Sequence, residues 1–207
     1  MFIDRMDAAC RLAEALVAYR GERPLVLAIP RGAVPMAKRI AAELGGEVDV
    51  VLVRKLPAPG NPEFAIGAVD ETGWTYLADH ARRMGIDESY IDEERAAQVA
   101  LMGRRRAQYT PVRPPIDPAG RIVIVVDDGL ATGSTMIAAL HAIRAKGPRK
   151  LICAVPVAPP DTADRVRAYC DELVCLETPF GFHAVGQFYR SFPQVGDDEV
   201  ITLLAGD

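Results

Sequence analysis

The chain has 207 residues, half of them hydrophobic, which is enough for one α/β domain with a sizeable core. Its 28 acidic and 24 basic side chains leave a net charge of −4, which argues against a non-specific nucleic-acid surface, so nucleic acid is not an expected partner. No apolar run approaches the roughly eighteen residues of a membrane span, the opening Met-Phe-Ile-Asp-Arg-Met-Asp has no apolar signal core, and the four scattered cysteines form no C-x-x-C; a cytoplasmic, reduced protein away from membranes is expected.

Taken in order, residues 4–19 read as a helix, with Leu12, Leu16 and Tyr19 at helical spacing and Asp4 or Asp7 as its cap. Residues 25–29 make a short buried strand, followed directly by Pro30-Arg31-Gly32-Ala33-Val34-Pro35 and a helix over 36–44. A loop joining a strand end to a helix start exposes unpaired N–H donors, and Arg31 beside them suits an anion. A second strand over 48–53 runs onto two cations, Arg54 and Lys55. Residues 56–73 are the most loop-like stretch, because Pro57, Pro59 and Pro62 forbid a regular helix, although 64–69 would suit a strand; Asn61 and Glu63 there are candidate site residues or turn formers.

Residues 74–77 suggest a short strand, and 87–109 a long charged helix ending in Arg104-Arg105-Arg106, a solvated face set against the helix dipole. After an extended connector comes a β-branched apolar run, 122–126, of the kind buried on both faces in a parallel sheet. Asp127-Asp128 follow it, then the small-residue loop from Gly129 to Thr135, then a helix over 134–145. Strands at 150–157 and 172–177 flank a helix at 161–169, with Asp161 as its cap, and a closing helix covers 197–204. Strands near 25, 48, 122, 151 and 173 with helices between them describe an α/β fold with a doubly wound parallel sheet, and no repeat or linker divides it, so residues 1–207 read as a single domain.

The loop after the acid pair is built for a phosphorylated ligand. Gly129 and Gly133 allow close backbone approach, and Thr132, Ser134 and Thr135 add hydroxyl donors. The carboxylates would repel a phosphate, so they suit neutral hydroxyls or a cation, such as the 2′- and 3′-hydroxyls of a ribose with Mg²⁺ nearby. The stretch lacks both G-x-x-x-x-G-K-[ST] and G-x-G-x-x-G.

Residues 123–135 resemble the 5-phosphoribosyl-1-pyrophosphate (PRPP) signature of the type I phosphoribosyltransferases: four apolar residues, two acids, then small residues with Thr-Gly-Ser-Thr. Pro-Arg-Gly, Val-Arg-Lys and Pro-Gly-Asn-Pro-Glu-Phe-Ala-Ile-Gly-Ala-Val extend the likeness over most of the chain, toward predicted bacterial phosphoribosyltransferases. The resemblance implies transfer of a phosphoribosyl group from PRPP to a nitrogen acceptor, with Mg²⁺ as cofactor and pyrophosphate released. It implies PRPP contacts from Arg31, Gly32, Arg54, Lys55, Asp127, Asp128, Gly129, Ala131, Thr132, Gly133, Ser134 and Thr135, with Arg31, Lys55, Asp127 and Asp128 nearest the chemistry. Asp127 and Asp128 would hold the metal indirectly, through ribose hydroxyls or water. A mobile loop is expected near 56–73 and a small C-terminal hood over 178–195, where Phe182, His183 and Val185 would meet the acceptor.

The 6-oxopurine members carry an aspartate where this chain has Ala131, and a late hood aspartate where it has Arg190 nearby, so hypoxanthine and guanine are disfavoured as acceptors. The resemblance leaves a homodimer open, and some relatives are PRPP-sensing regulators rather than enzymes.

Overall fold

Residues 1–206 are described by a computed structural model, apart from the side chain of Glu63, so that candidate lies outside the described residues. Every residue of β6 (Ile122–Val126) is buried. It is the middle strand of a five-stranded parallel sheet in the order β2-β1-β6-β7-β8, formed with β1 (Leu25–Ala28), β2 (Glu47–Val50), β7 (Lys150–Val157) and β8 (Glu172–Glu177).

Successive side chains of a strand point to opposite faces, and the core divides accordingly. Val26, Ala28, Ile124, Val126, Ile152 and Ala154 share one apolar cluster with α1 (Arg5–Ala15) and α2 (Val34–Leu44). Leu25, Leu27, Val123, Val125, Leu151 and Cys153 share the other with α5 (Ser134–Arg144) and α6 (Pro160–Arg167). Continuous apolar strands are what two covered faces demand. Asp4 caps α1 through Oδ1, which accepts from the N–H groups of Met6 and Asp7 at 2.8 and 2.9 Å. The predicted first helix is shorter than expected, with a separate 3-10 turn at Val17–Tyr19. Pro160 starts α6, so Asp161 sits in its first turn and is not its cap.

Two expectations change between residues 48 and 73. The apolar run 48–53 is not one strand: β2 ends at Val50, and β3 (Val53–Ala58) begins a second, antiparallel sheet with β4 (Asn61–Asp70) and β5 (Thr75–Leu77). Arg54 and Lys55 therefore stand inside a hairpin strand. The stretch expected to be a loop, 56–73, is mostly this hairpin. Its prolines are accommodated where a ladder tolerates them: Pro57 falls at a register shift, and Pro59 precedes Gly60 at φ 72° in the tight turn.

A short helix, α3 (Asp79–Arg83), leads to α4 (Glu88–Tyr109), which packs on the hairpin. The hairpin's other side meets α5, where Trp74 stacks on His141 with ring centroids 3.6 Å apart. After β8, a 3-10 turn (Val185–Phe188) precedes α7 (Asp197–Ala205). Among the described residues, no helix is long and apolar enough to cross a membrane.

Candidate functional site

In an open parallel sheet, ligands bind outside the carboxyl ends of the strands where the connections diverge to opposite sides. Here that point lies between β1, which leads away to β2, and β6, which leads to β7 and β8. The connections leaving these two strands are residues 29–33 and 127–133. Ile29, Pro30, Arg31 and Gly32 from the first, and Asp127 and Asp128 from the second, line a cavity of about 530 Å³. Val53, Arg54, Lys55, Pro57 and Pro62 of the hairpin close its side, with Gln98 and Arg105 of α4 and Thr135 of α5. The peptide bond between Pro30 and Arg31 is cis.

The cavity joins two acids to several cations. Burial pushes the Asp127 carboxyl well above the usual carboxylate range, and the adjacent Asp128 adds to the rise. Burial also raises Asp128, opposed by the charge and hydrogen bonds of Arg5. Asp127 Oδ1 accepts from the backbone N–H of Asp128 at 2.9 Å, and Asp128 Oδ2 accepts from Arg5 Nε and Nη2 at 3.0 and 2.9 Å. Elsewhere on the lining, desolvation lowers the Arg54 pKa, and repulsion from Arg105 and Arg31 lowers it further. Crowded cations of this kind are relieved by an anion. Asp197, at the start of α7, partly serves: its carboxylate lies 3.6 Å from Arg31 and 3.8 Å from Arg105.

Gly32 is fixed by this packing. A Cβ there would lie 2.3 Å from Asp128 Oδ2. Gly133 takes φ 74° as the N-cap of α5, and a side chain on it would meet Thr162 and Val166 at 2.9 Å. The loop from Gly129 to Ser134 is braced by α6. Thr162 Oγ1 donates to the Ala131 carbonyl at 3.0 Å, and Arg165 donates to the Thr132 carbonyl at 3.2 Å. Thr132 Oγ1 donates to Ser134 Oγ at 3.2 Å. The open N–H donors of such a loop and helix start make a cradle for an anion.

Thus Arg31, Gly32, Arg54, Lys55, Asp127, Asp128 and Thr135 line one cavity, although they come from three distant parts of the chain. Gly129, Ala131, Thr132, Gly133 and Ser134 form the adjoining loop. Phe182, His183 and Val185 do not line the cavity. The Phe182 ring packs against Phe188, His183 is exposed, and Val185 abuts Gly129, whose added Cβ would lie 2.7 Å from Val185 Cγ1.

Two arginines at the site were not among the expected residues. Arg105 lines the cavity, although the Arg104-Arg105-Arg106 run suggested a solvated face; Arg106 instead pairs with Glu71 at 2.6 Å, and Arg104 is exposed. Helical spacing distinguishes the three, but only the packing of α4 on the hairpin selects which one turns inward. Arg5 carries no local signal at all, since it is one polar residue in the first turn of a helix.

The phosphoribosyl transferase domain matches residues 4–189. A provisionally named phosphoribosyl transferase of Mycobacterium tuberculosis (strain H37Rv) is 43% identical over 205 residues, covering 99% of this chain and 46% of the relative. The same values hold for the strain CDC 1551 / Oshkosh protein. The chain therefore spans about half the length of the curated relatives it matches. The crystal structure of TT1426 from Thermus thermophilus superimposes with a TM-score of 0.83 at 47% identity, covering 99% of this chain and 97% of that one. With the family match running from the cap of α1 through both connections that bound the crevice, the chain belongs to the phosphoribosyl transferase domain family.

Proposed function

We propose that the protein transfers the 5-phosphoribosyl group of PRPP to a nucleobase-like nitrogen and releases pyrophosphate, in the cytoplasm and with Mg²⁺. The reading rests on one observation: the acid pair Asp127-Asp128 shares a cavity with Arg31, Arg54, Lys55 and Arg105. PRPP has the matching asymmetry, neutral ribose hydroxyls beside a polyanion.

In the reaction the C1′–O bond to pyrophosphate breaks, an N–C1′ bond forms, and the acceptor nitrogen gives up a proton. Positive charge develops on the ribose. Asp127 and Asp128 accept hydrogen bonds from the 2′- and 3′-hydroxyls and hold negative potential beside that charge. Arg31 and Lys55 stabilise the leaving pyrophosphate, with Arg54 and Arg105 behind them. The loop from Gly129 to Thr135 grips the 5′-phosphate, so much of the binding energy comes from a part of the substrate that does not react.

Among the described residues, no group of three or more His, Cys, Asp or Glu side chains could hold a metal ion. Two neighbouring carboxylates do fit Mg²⁺ that arrives on substrate phosphates, a mode in which the ion keeps much of its water. Asp127 and Asp128 would hold it through water or ribose hydroxyls, and it would supply charge neutralisation on the pyrophosphate.

The test is calorimetry with PRPP and Mg²⁺, followed by a panel of bases and amines in the same cell. Saturable PRPP binding, with pyrophosphate release on adding one acceptor, is the expected result. The double substitution Asp127→Asn with Asp128→Asn should weaken PRPP binding by several kcal/mol, since a hydrogen bond to a charged group is worth about 1.5–3 kcal/mol. Unchanged affinity in the folded double variant removes the ribose assignment.

A further inference from the structure

Asp127 and Asp128 are neighbours in sequence but not equivalent in the structure. Asp128 is gripped from outside its own loop. Both Nε and Nη2 of Arg5 donate to the same oxygen, Oδ2, and the two side chains are only 11% and 17% exposed. The third edge of that guanidinium, Nη1, donates to the Pro193 carbonyl. The Phe192 ring lies 3.8 Å from Arg5 Cζ, a cation–π contact that fixes the guanidinium plane. Tyr189 Oη donates to the main-chain carbonyl of Asp128 at 2.7 Å. Gly32 leaves room beside Oδ2 that a side chain would fill, since an added Cβ would lie 2.3 Å from it. Among the described residues Asp127 has no such clamp: its Oδ1 accepts from the Asp128 N–H, and Lys55 and Arg5 act on it as charges.

We infer that Arg5 is the positioning residue of the site: it immobilises Asp128 through Oδ2 and so presents Oδ1 to a ribose hydroxyl of PRPP. The inference rests on the ribose assignment made above. Its physical basis is that two charge-assisted hydrogen bonds converging on one carboxylate oxygen fix that oxygen and restrict rotation of the group, which sets the direction of the other. Arg5 itself is held by the C-terminal segment through Phe192 and Pro193. The first helix and the segment before α7 therefore converge on Asp128, the helix directly through Arg5 and the segment through its hold on Arg5 and the Tyr189 hydrogen bond. A substrate binding to a preset Asp128 does not spend binding energy on ordering it.

The experiment is a double-mutant cycle on PRPP affinity, measured by calorimetry with Mg²⁺ in the full chain. The proteins are the wild type, Arg5→Gln, Asp128→Asn and the double variant, with Arg5→Lys as a conservative companion. If Arg5 acts through Asp128, Arg5→Gln weakens PRPP binding about tenfold or more, and adds little once Asp128→Asn is present. Arg5→Lys, which keeps the charge but not the paired donors, falls between. Losses that simply add, or Arg5→Gln binding like the wild type, overturn the inference while leaving the ribose assignment intact. Asp128→Asn binding PRPP like the wild type overturns the assignment itself, and the inference with it. Removing one partner of a buried pair is costly to folding. If Arg5→Gln does not fold, the cycle is read with Arg5→Lys, where the same criterion of additivity decides. A purely structural role would lower Tm without coupling to Asp128 in the binding energies.

Discussion

Burial and the adjacent carboxylate push Asp127 well above the usual range, and this has a consequence for stability. A carboxyl whose folded pKa is raised binds its proton more tightly in the native state than in the unfolded chain. Between the ordinary carboxylate pKa and the raised one, the unfolded state holds fewer protons, so stability falls as pH rises through that window. On the alkaline side of that window the unliganded protein carries this burden in full. Asp127→Asn should therefore raise the unliganded stability on the alkaline side of that window while weakening PRPP binding, a trade common at functional sites. The gain should vanish below the ordinary carboxylate pKa, and a thermal melt series against pH checks it. Gly32→Ala is the opposite case. Its Cβ would stand 2.3 Å from Asp128 Oδ2, so the carboxylate must move, at a cost of about 1–3 kcal/mol and with loss of PRPP affinity. Ala131→Gly should leave turnover largely intact, since no side-chain chemistry is assigned to that position; a severe loss in a folded variant would count against the loop assignment.

At the level of elements, α4 shows how one run of three arginines is divided by helix geometry. Arg105 faces the cavity, while Arg106 ties α4 to Glu71 of the turn after β4 through Nε at 3.0 Å and Nη2 at 2.6 Å. The two variants should separate cleanly. Arg105→Ala should weaken binding of pyrophosphate to the folded protein with little change in Tm. Arg106→Ala should lower stability by about 1–2 kcal/mol, because it leaves Glu71 without its forked partner, and should change pyrophosphate affinity less. Calorimetric titration and thermal melts on the same pair of proteins check both. Equal effects on binding and stability in the two would mean that α4 acts on the cavity only through its overall placement.

At the scale of the whole molecule, the antiparallel sheet does not stand apart from the parallel one. Val53 and Ala68 share an apolar cluster with the strands and α5, while Leu56, Ile66 and Val69 share the other with α1 and α2. Trp74, the chain's one tryptophan, reports on this junction through its stack on His141. The expected outcome is a single cooperative unfolding unit. Trp74 fluorescence and far-UV circular dichroism should trace coincident urea transitions. An earlier fluorescence transition would show that the hairpin sheet detaches first and that the cationic wall of the cavity unfolds separately from the acid pair.

The local physics of the sequence determined most of the parallel sheet. The runs at 25, 122 and 150 are short, apolar and buried, and such runs have few folded destinations other than a strand covered on both faces, while the half-buried run at 172 forms the sheet edge. The acid pair and the small-residue loop were legible for a related reason: only a close backbone approach and donor-rich hydroxyls give Gly-Leu-Ala-Thr-Gly-Ser-Thr a purpose. The break at 51–52 was not legible, because Val51 and Leu52 are as apolar and buried as their neighbours, and no turn residue marks the change of sheet. The hairpin at 53–70 was hidden by prolines that a register shift and a tight turn absorb, and both depend on the partner strand. Arg5 and Arg105 became visible only through tertiary structure. A charged residue on a helix has no local signal for the direction it faces; that is decided by what packs beside it. The sequence alone thus determined which segments form the acid pair and its small-residue loop, while long-range packing decided which cations stand in the same cavity and which acid is held still.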